Sequence, residues 1–90
     1  GLAQLTKALA NEWAQHRITV NGIAPGHMST DNTAPLRADA ARSRQILERI
    51  PAGRWGEPSD LGGAAVFLSA PASDYVNGHI LVVDGGWLER

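Results

Sequence analysis

Apolar residues recur at Leu2, Leu5, Leu9 and Trp13, while Gln4, Lys7, Asn11 and Gln15 occupy another face. This is the period of an amphipathic helix, and it predicts one over residues 2–16. The pattern is already running at Leu2 with no Ser, Thr, Asp or Asn cap ahead of it, so the helix is expected to begin upstream of Gly1. The period then changes to two. Ile18 and Val20 alternate with Thr19 and Asn21, which predicts a strand over 18–24, with Gly22 leaving room for another backbone. The run stops at Pro25-Gly26, and a polar loop extends to Ala34. Pro35, tolerated in a first turn, opens a second helix to Arg49. Its apolar stripe is thin (Leu36, Ala40, Leu47, Ile50) and the rest is charged, so a surface helix serving as a mobile cover is expected.

Pro51 ends that helix. A turn-rich stretch, 51–58, leads to Ser59 as the expected cap of a third helix over 59–70, with Asp60 favourable at its N-terminus. Gly62-Gly63 inside this helix costs about 1 kcal/mol per glycine relative to alanine, which predicts close packing against a neighbour. Pro71 stops it, 74–78 forms a turn, and a second strand runs from His79 to Val83 before Asp84-Gly85-Gly86. Strands joined through helices predict an α/β fold with a parallel pair and a right-handed crossover. Two strands are too few for a parallel sheet covered on both faces, so further strands are expected outside these residues.

Composition narrows the chemistry. The chain has 90 residues and a net charge of -1 with both signs interspersed, which argues against nucleic acid or an anionic membrane as partner. No cysteine is present, which removes disulfides, thiolate metal sites and a thiol nucleophile. His16 and His79 have no partner at metal-ligand spacing, and no metal site is assigned. No apolar run approaches a membrane span and no basic-then-apolar leader is visible, so a cytoplasmic protein is expected. Nothing in the chain reads as a complete catalytic apparatus. The candidate chemistry lies where the first strand stops at Pro25-Gly26, because open α/β sheets bind ligands beyond the carboxyl ends of their strands. Free backbone N–H groups and the hydroxyls of Ser29 and Thr30 there suit a polar cofactor.

Four segments carry a resemblance that spans the chain: Asn21 to Gly26 with Thr30; Pro51-Ala52-Gly53-Arg54-Trp55-Gly56-Glu57-Pro58-Ser59-Asp60-Leu61; Ser73-Asp74-Tyr75-Val76-Asn77-Gly78; and Val83-Asp84-Gly85-Gly86. In this order they resemble the C-terminal part of a short-chain dehydrogenase/reductase, a Rossmann-type doubly wound parallel sheet. Residues 1–90 would then be one segment of a single domain, in the order helix-strand-helix-helix-strand, without the N-terminal cofactor-binding half. Ala10 to Ala14, Asn32-Thr33, Leu36 to Asp39, Arg49 to Gly56 and Asp84 to Leu88 are similar to the sugar-acid dehydrogenases within the family. Gluconate 5-dehydrogenases and 3-oxoacyl-carrier-protein reductases share much of the pattern.

The resemblance implies hydride transfer between NAD, or NADP, and a sugar acid such as 2-deoxy-D-gluconate and its 3-keto form. It implies a catalytic Ser and a Tyr-x-x-x-Lys pair upstream of Gly1, with none in these residues. Tyr75 has no following Lys and does not replace that tyrosine. Pro25, Gly26, Met28 and Thr30 would meet the cofactor, a backbone N–H near Met28 holding the carboxamide and the Thr30 hydroxyl a pyrophosphate oxygen. His27, Arg37 and Trp55 are the substrate candidates. For Arg37, Arg42, Arg44 and Arg49, carboxylate binding competes with a solvated face carrying i,i+4 pairs such as Arg44–Glu48. For Arg54 and Trp55 a structural ion pair and a packing anchor compete with pocket roles. Helix 59–70, strand 79–83 and Trp87 resemble the part that makes subunit contacts in a homotetramer, although Trp87 has an equal claim to packing within its own subunit. If the 90 residues were a complete product, a non-catalytic oligomerisation segment would be the competing reading.

Overall fold

The computed structural model describes residues 1–89. Helix α1 covers Leu2–Trp13, and its last turn tightens into a 3₁₀ turn over Ala14–His16. Arg17 closes that turn in the left-handed region, φ 61°, and redirects the chain toward the sheet. Strand β1 is Gly22–Pro25 and strand β2 is Ile80–Val83. They pair in parallel, with Gly22 opposite Ile80 and Pro25 opposite Val83.

The expected strand 18–24 therefore begins later and ends one residue further on. Asparagine side chains occupy the ladder upstream of Gly22. The Val20 N–H donates to Asn77 Oδ1 at 2.9 Å, and the His79 N–H donates to Asn21 Oδ1 at 3.0 Å. Asn21 Nδ2 donates to the Val76 carbonyl and Asn77 Nδ2 to the Ala10 carbonyl, the latter tying the strand entrances to α1. Gly22 makes room for the Ile80 side chain and Thr6 of α1 rather than for a backbone.

The helix expected over 35–49 is two helices, α2 at Ala34–Ala38 and α3 at Ala40–Glu48. Asp39 breaks them: its backbone is extended, and its carboxylate accepts the Arg42 N–H as the N-cap of α3. A short polar side chain that can cap competes with helix continuation, and here the cap wins. The third helix, α4, is Pro58–Leu68. Glu57, not Ser59, is its N-cap residue, because Pro58 takes the first helical position, where its missing N–H costs nothing. Asp60 reaches back to the Glu57 N–H at 2.7 Å. The close packing expected at Gly62-Gly63 is not seen: a Cβ at either position would meet nothing within 4 Å among the described residues.

Helix α4 packs against both strands, and Ala10 and Ile50 are the buried apolar residues among those described. The accessible surface is 6314 Å² and the radius of gyration 15.7 Å. A compact chain of this mass exposes about 5,100 Å² with a radius near ~12 Å. The excess reflects apolar side chains left open, among them Leu2, Leu5, Val66, Phe67 and Val82. No helix among the described residues is long and apolar enough to cross a membrane.

Candidate functional site

Strand β1 delivers its chain to the site and ends at Pro25, just before Gly26. The Gly26 N–H donates to the Val83 carbonyl at 2.9 Å, the last bond joining the two strands. A Cβ on Gly26 would lie 2.6 Å from Asp84 Cβ and 2.7 Å from Asp84 Cα. Only glycine permits the strand ends to come this close. Beyond β2, Gly85 and Gly86 both adopt positive φ (65° and 95°), and the turn packs against Ile50, Pro51 and Ala52. The Asp84 carboxylate is committed to that turn, accepting the Gly86 N–H at 2.8 Å and the Leu88 N–H at 3.2 Å.

A second loop seals one side. Met28 and Gly56 form an isolated parallel bridge. The Gly56 N–H donates to the His27 carbonyl at 2.9 Å, and the Ser29 N–H donates to the Gly56 carbonyl at 2.7 Å. In such a bridge the N–H and C=O of Met28 itself point away from Gly56. Its carbonyl takes the Thr33 hydroxyl at 2.6 Å. Its N–H takes no acceptor among the described residues. A half-buried backbone donor left over at the end of a parallel strand is a place for a ligand acceptor.

Between the strand ends and the 53–56 loop lies a cleft of about 160 Å³, lined by His27, Met28, Arg54, Gly56, Asp60 and Asp84 among others. His27 forms its aromatic wall. The imidazole meets Trp55 edge-on, with centroids 5.6 Å apart, and lies tilted over Trp87 at 4.3 Å. The Arg49 guanidinium carbon sits 4.2 Å from the Trp87 ring centroid. Nδ1 of His27 is buried without a hydrogen-bond partner among the described residues. A buried polar nitrogen in that state carries a desolvation penalty of about 1–3 kcal/mol, which a ligand group could relieve.

Opposite His27, Arg54 and Asp60 pair end-on, Nη1 to Oδ2 at 2.8 Å and Nη2 to Oδ1 at 3.1 Å. Arg54 and the Glu57 N–H hold the Asp60 carboxyl down at about 2, and the same pairing raises Arg54. Arg54 thus makes the ion pair expected of it, and Trp55 packs as an anchor against His27. The Arg44–Glu48 pair is not formed, Arg54–Asp60 being the ion pair among the described residues.

The structure brings together Gly26, His27, Met28 and Trp55, and sets Pro25 and Thr30 at the two ends of the same loop. Arg37 lies apart from the cleft. Its Nη2 donates to the Thr30 carbonyl at 3.0 Å and its Nε to Thr33 Oγ1 at 3.3 Å. Trp87 folds onto His27 and Arg49 of its own chain. Thr33, Gly56, Asp60 and Asp84 also take part, although sequence patterning does not single them out as site residues. For Thr33 a signal is present: Thr30 and Thr33 stand at the spacing of a capping box.

The family model described as Enoyl-(Acyl carrier protein) reductase matches residues 1–88. Among curated proteins, 2-dehydro-3-deoxy-D-gluconate 5-dehydrogenase of Dickeya dadantii is 66% identical over 86 residues, covering 96% of this chain and 34% of that protein. A crystal structure of a provisionally named 2-deoxy-D-gluconate 3-dehydrogenase from Agrobacterium tumefaciens, with NADP bound, superposes with a TM-score of 0.97 at 68% identity. It is matched over 100% of this chain and 37% of that one. A gluconate 5-dehydrogenase from Burkholderia cenocepacia, in complex with NADP and tartrate, gives 0.93 at 46% identity over 99% of this chain and 35% of that one. The chain spans about a third of the length of the curated relatives it matches.

Proposed function

The chain belongs to this family, one of the short-chain dehydrogenase/reductases, and on that premise we propose that it forms the carboxyl-terminal wall of the active site of a cytoplasmic NAD(P)-dependent sugar-acid dehydrogenase. The longer protein interconverts a secondary alcohol of a sugar acid and its ketone. The nicotinamide ring, when bound, supplies or accepts the hydride. The residues that handle the proton, a Ser and a Tyr-x-x-x-Lys pair, lie N-terminal to Gly1 in this reading.

One observation carries it: the Met28 N–H stands unpaired among the described residues just beyond the carboxyl end of β1, while its own peptide is held through the His27 carbonyl and the next one through the Met28 carbonyl and the Ser29 N–H. That fits a carboxamide oxygen, whose fixed position presents one ring face to substrate. Pro25 and Gly26 support the site by letting the ends of β1 and β2 come together, since the space a Gly26 side chain would need is taken by Asp84. The Thr30 hydroxyl serves the pyrophosphate. His27 and Trp55 border the sugar acid, with the unpartnered Nδ1 of His27 available to a substrate hydroxyl. Arg37, which lies outside the cleft and is bonded to Thr30 and Thr33, acts through the loop rather than as a carboxylate ligand. The names of the relatives, and the tartrate in the Burkholderia structure, favour a polyhydroxy acid over an acyl thioester.

Helix α4 and strand β2 face a second copy in a homotetramer. Support comes from the open apolar side chains Val66, Phe67 and Val82 and from the uncovered Gly62-Gly63 stretch. An open apolar surface of this kind is ordinary for a subunit interface.

The test uses the full-length protein that carries this chain. Calorimetric titration with NAD and with NADP should give stoichiometric binding of at least one. Assay with 2-deoxy-D-gluconate and 2-dehydro-3-deoxy-D-gluconate should then show cofactor reduction with at least one. Absence of binding by both dinucleotides overturns the reading.

A further inference from the structure

Four consecutive peptide units after Gly26 are gripped, and two side chains outside the loop do much of the holding. In the unit joining 27 and 28, the His27 carbonyl takes the Gly56 N–H. In the next, the Ser29 N–H reaches the Gly56 carbonyl while the Met28 carbonyl takes the Thr33 hydroxyl at 2.6 Å. In the third, the Thr30 N–H donates to Thr33 Oγ1 at 3.1 Å. In the fourth, the Thr30 carbonyl accepts Arg37 Nη2 at 3.0 Å and the Thr33 N–H at 3.1 Å.

The Thr33 hydroxyl is saturated by this arrangement. A hydroxyl has one proton and two lone pairs. The proton goes to the Met28 carbonyl, the shorter contact, rather than to the Thr30 carbonyl at 3.1 Å. The lone pairs take the Thr30 N–H and the Arg37 Nε–H, the latter at 3.3 Å. Because peptide units are planar, holding one end of each fixes the direction of the other. The bridge to Gly56 aims the Met28 N–H, and Thr33 sets the next plane, so the backbone at Met28 has no free rotation left. Arg37, from the short helix α2, locks Thr33 and Thr30 in the same grip.

We propose that Thr33 and Arg37 are positioning residues: together they clamp the Met28–Thr30 loop so that its free N–H and its threonine hydroxyl are aimed before the cofactor arrives. This rests on the reading that the loop receives the nicotinamide end of NAD(P). Arg37 acts through Thr33 and the Thr30 carbonyl, and the clamp makes the loop's geometry depend on α2.

The experiment compares Thr33→Val, which keeps the shape and removes the proton and both lone pairs, with Thr33→Ser, which restores them. In the full-length protein, Thr33→Val should raise the Kd of the bound dinucleotide about tenfold, with kcat at saturating cofactor within about threefold. Thr33→Ser should return Kd to within about twofold of wild type. A merely structural hydroxyl would instead lower the count of titratable sites and leave the Kd of the surviving sites unchanged. An unchanged Kd in Thr33→Val, or a Ser variant as weak as Val, overturns the clamp. Should Thr33→Val not fold, Arg37→Gln decides: a rise of about threefold in Kd is expected, and none overturns the proposal. Wild-type protein that binds no dinucleotide at all overturns the cofactor reading itself, and is told apart by needing no variant.

Discussion

The loop after β1 and the outer face of α4 treat their chemical groups in opposite ways. From Gly26 to Thr33 many backbone groups are spent within a few residues, on Gly56 or on Val83, and the neighbouring His27 and Met28 N–H groups are left over among the described residues. On α4, Val66 is 69% exposed and Phe67 41%, with the glycine pair of the same helix facing open space. Hydrogen bonds are directional and close over short distances, so a short loop can satisfy itself. Burial of apolar area needs a matching surface, which these residues alone do not provide. The site is therefore locally complete in its polar geometry, while its support depends on what covers the sheet and α4.

The largest effect is expected where both kinds of region meet, at Gly26. Gly26→Ala drives a Cβ into the Asp84 backbone, which continues from β2 and cannot move alone. Overpacking of this kind costs about 1–3 kcal/mol. It also separates the strand ends beneath the free Met28 N–H. Dinucleotide affinity should fall by about two orders of magnitude, on the scale of about 1.4 kcal/mol per decade. Titration calorimetry on the full-length variant checks this. Affinity within about threefold of wild type would mean that the close approach of β1 and β2 does not shape the site.

Next comes the apolar face. Phe67→Glu places a charge on the exposed side of α4, away from the loop. If a second copy covers this face, light scattering should show the full-length protein falling to a smaller assembly while its dinucleotide affinity changes little. An unchanged mass would assign the cover of α4 to the same subunit. That outcome would remove the homotetramer from the proposal without touching the site.

Legibility in the sequence divides along the same line. The period of Leu2, Leu5, Leu9 and Trp13 places α1, and Pro25-Gly26 places the end of β1, because both signals are local. Asp39 does not stand out as a helix break because the apolar stripe of Leu36, Ala40 and Leu47 runs straight through it, and a cap shows only when its neighbour's N–H is counted. Ser59 looks a better cap than Glu57, although Pro58 already marks the first helical position. The side-chain bonds of Asn21 and Asn77 shorten the strands through groups that hydropathy does not register. The stack of Arg49, Trp87, His27 and Trp55 is out of reach, since its members are distant in sequence and meet only when β1 and β2 pair. Trp87 illustrates the point: its sequence gives equal claims to a subunit contact and to its own subunit, and the fold sets it on His27 and Arg49 of its own chain.

The smallest effect belongs to the Arg54–Asp60 pair, which borders the cleft but is open to water, with the Arg54 side chain 59% exposed. Arg54, then the Glu57 N–H, lowers the Asp60 carboxyl from 3.8 to about 2. A carboxylate depressed on folding stabilises the native state above its unfolded value, and that contribution disappears as pH falls through the folded value. Wild type and Asp60→Asn should therefore differ most at neutral pH, and the gap should close between about pH 4 and pH 2. Melting temperatures of the two full-length proteins across that range measure it. Salt separates the two partners of Asp60. The ion pair with Arg54 is screened at about 1 M salt, whereas the bond from the Glu57 N–H, which caps α4, is not. Because the amide oxygen of the Asn variant still accepts the Glu57 N–H, a gap that survives high salt at neutral pH assigns the stabilisation to the carboxylate charge at the cap. One that vanishes assigns it to Arg54, and makes the cleft's charged wall the part of the site most sensitive to ionic conditions.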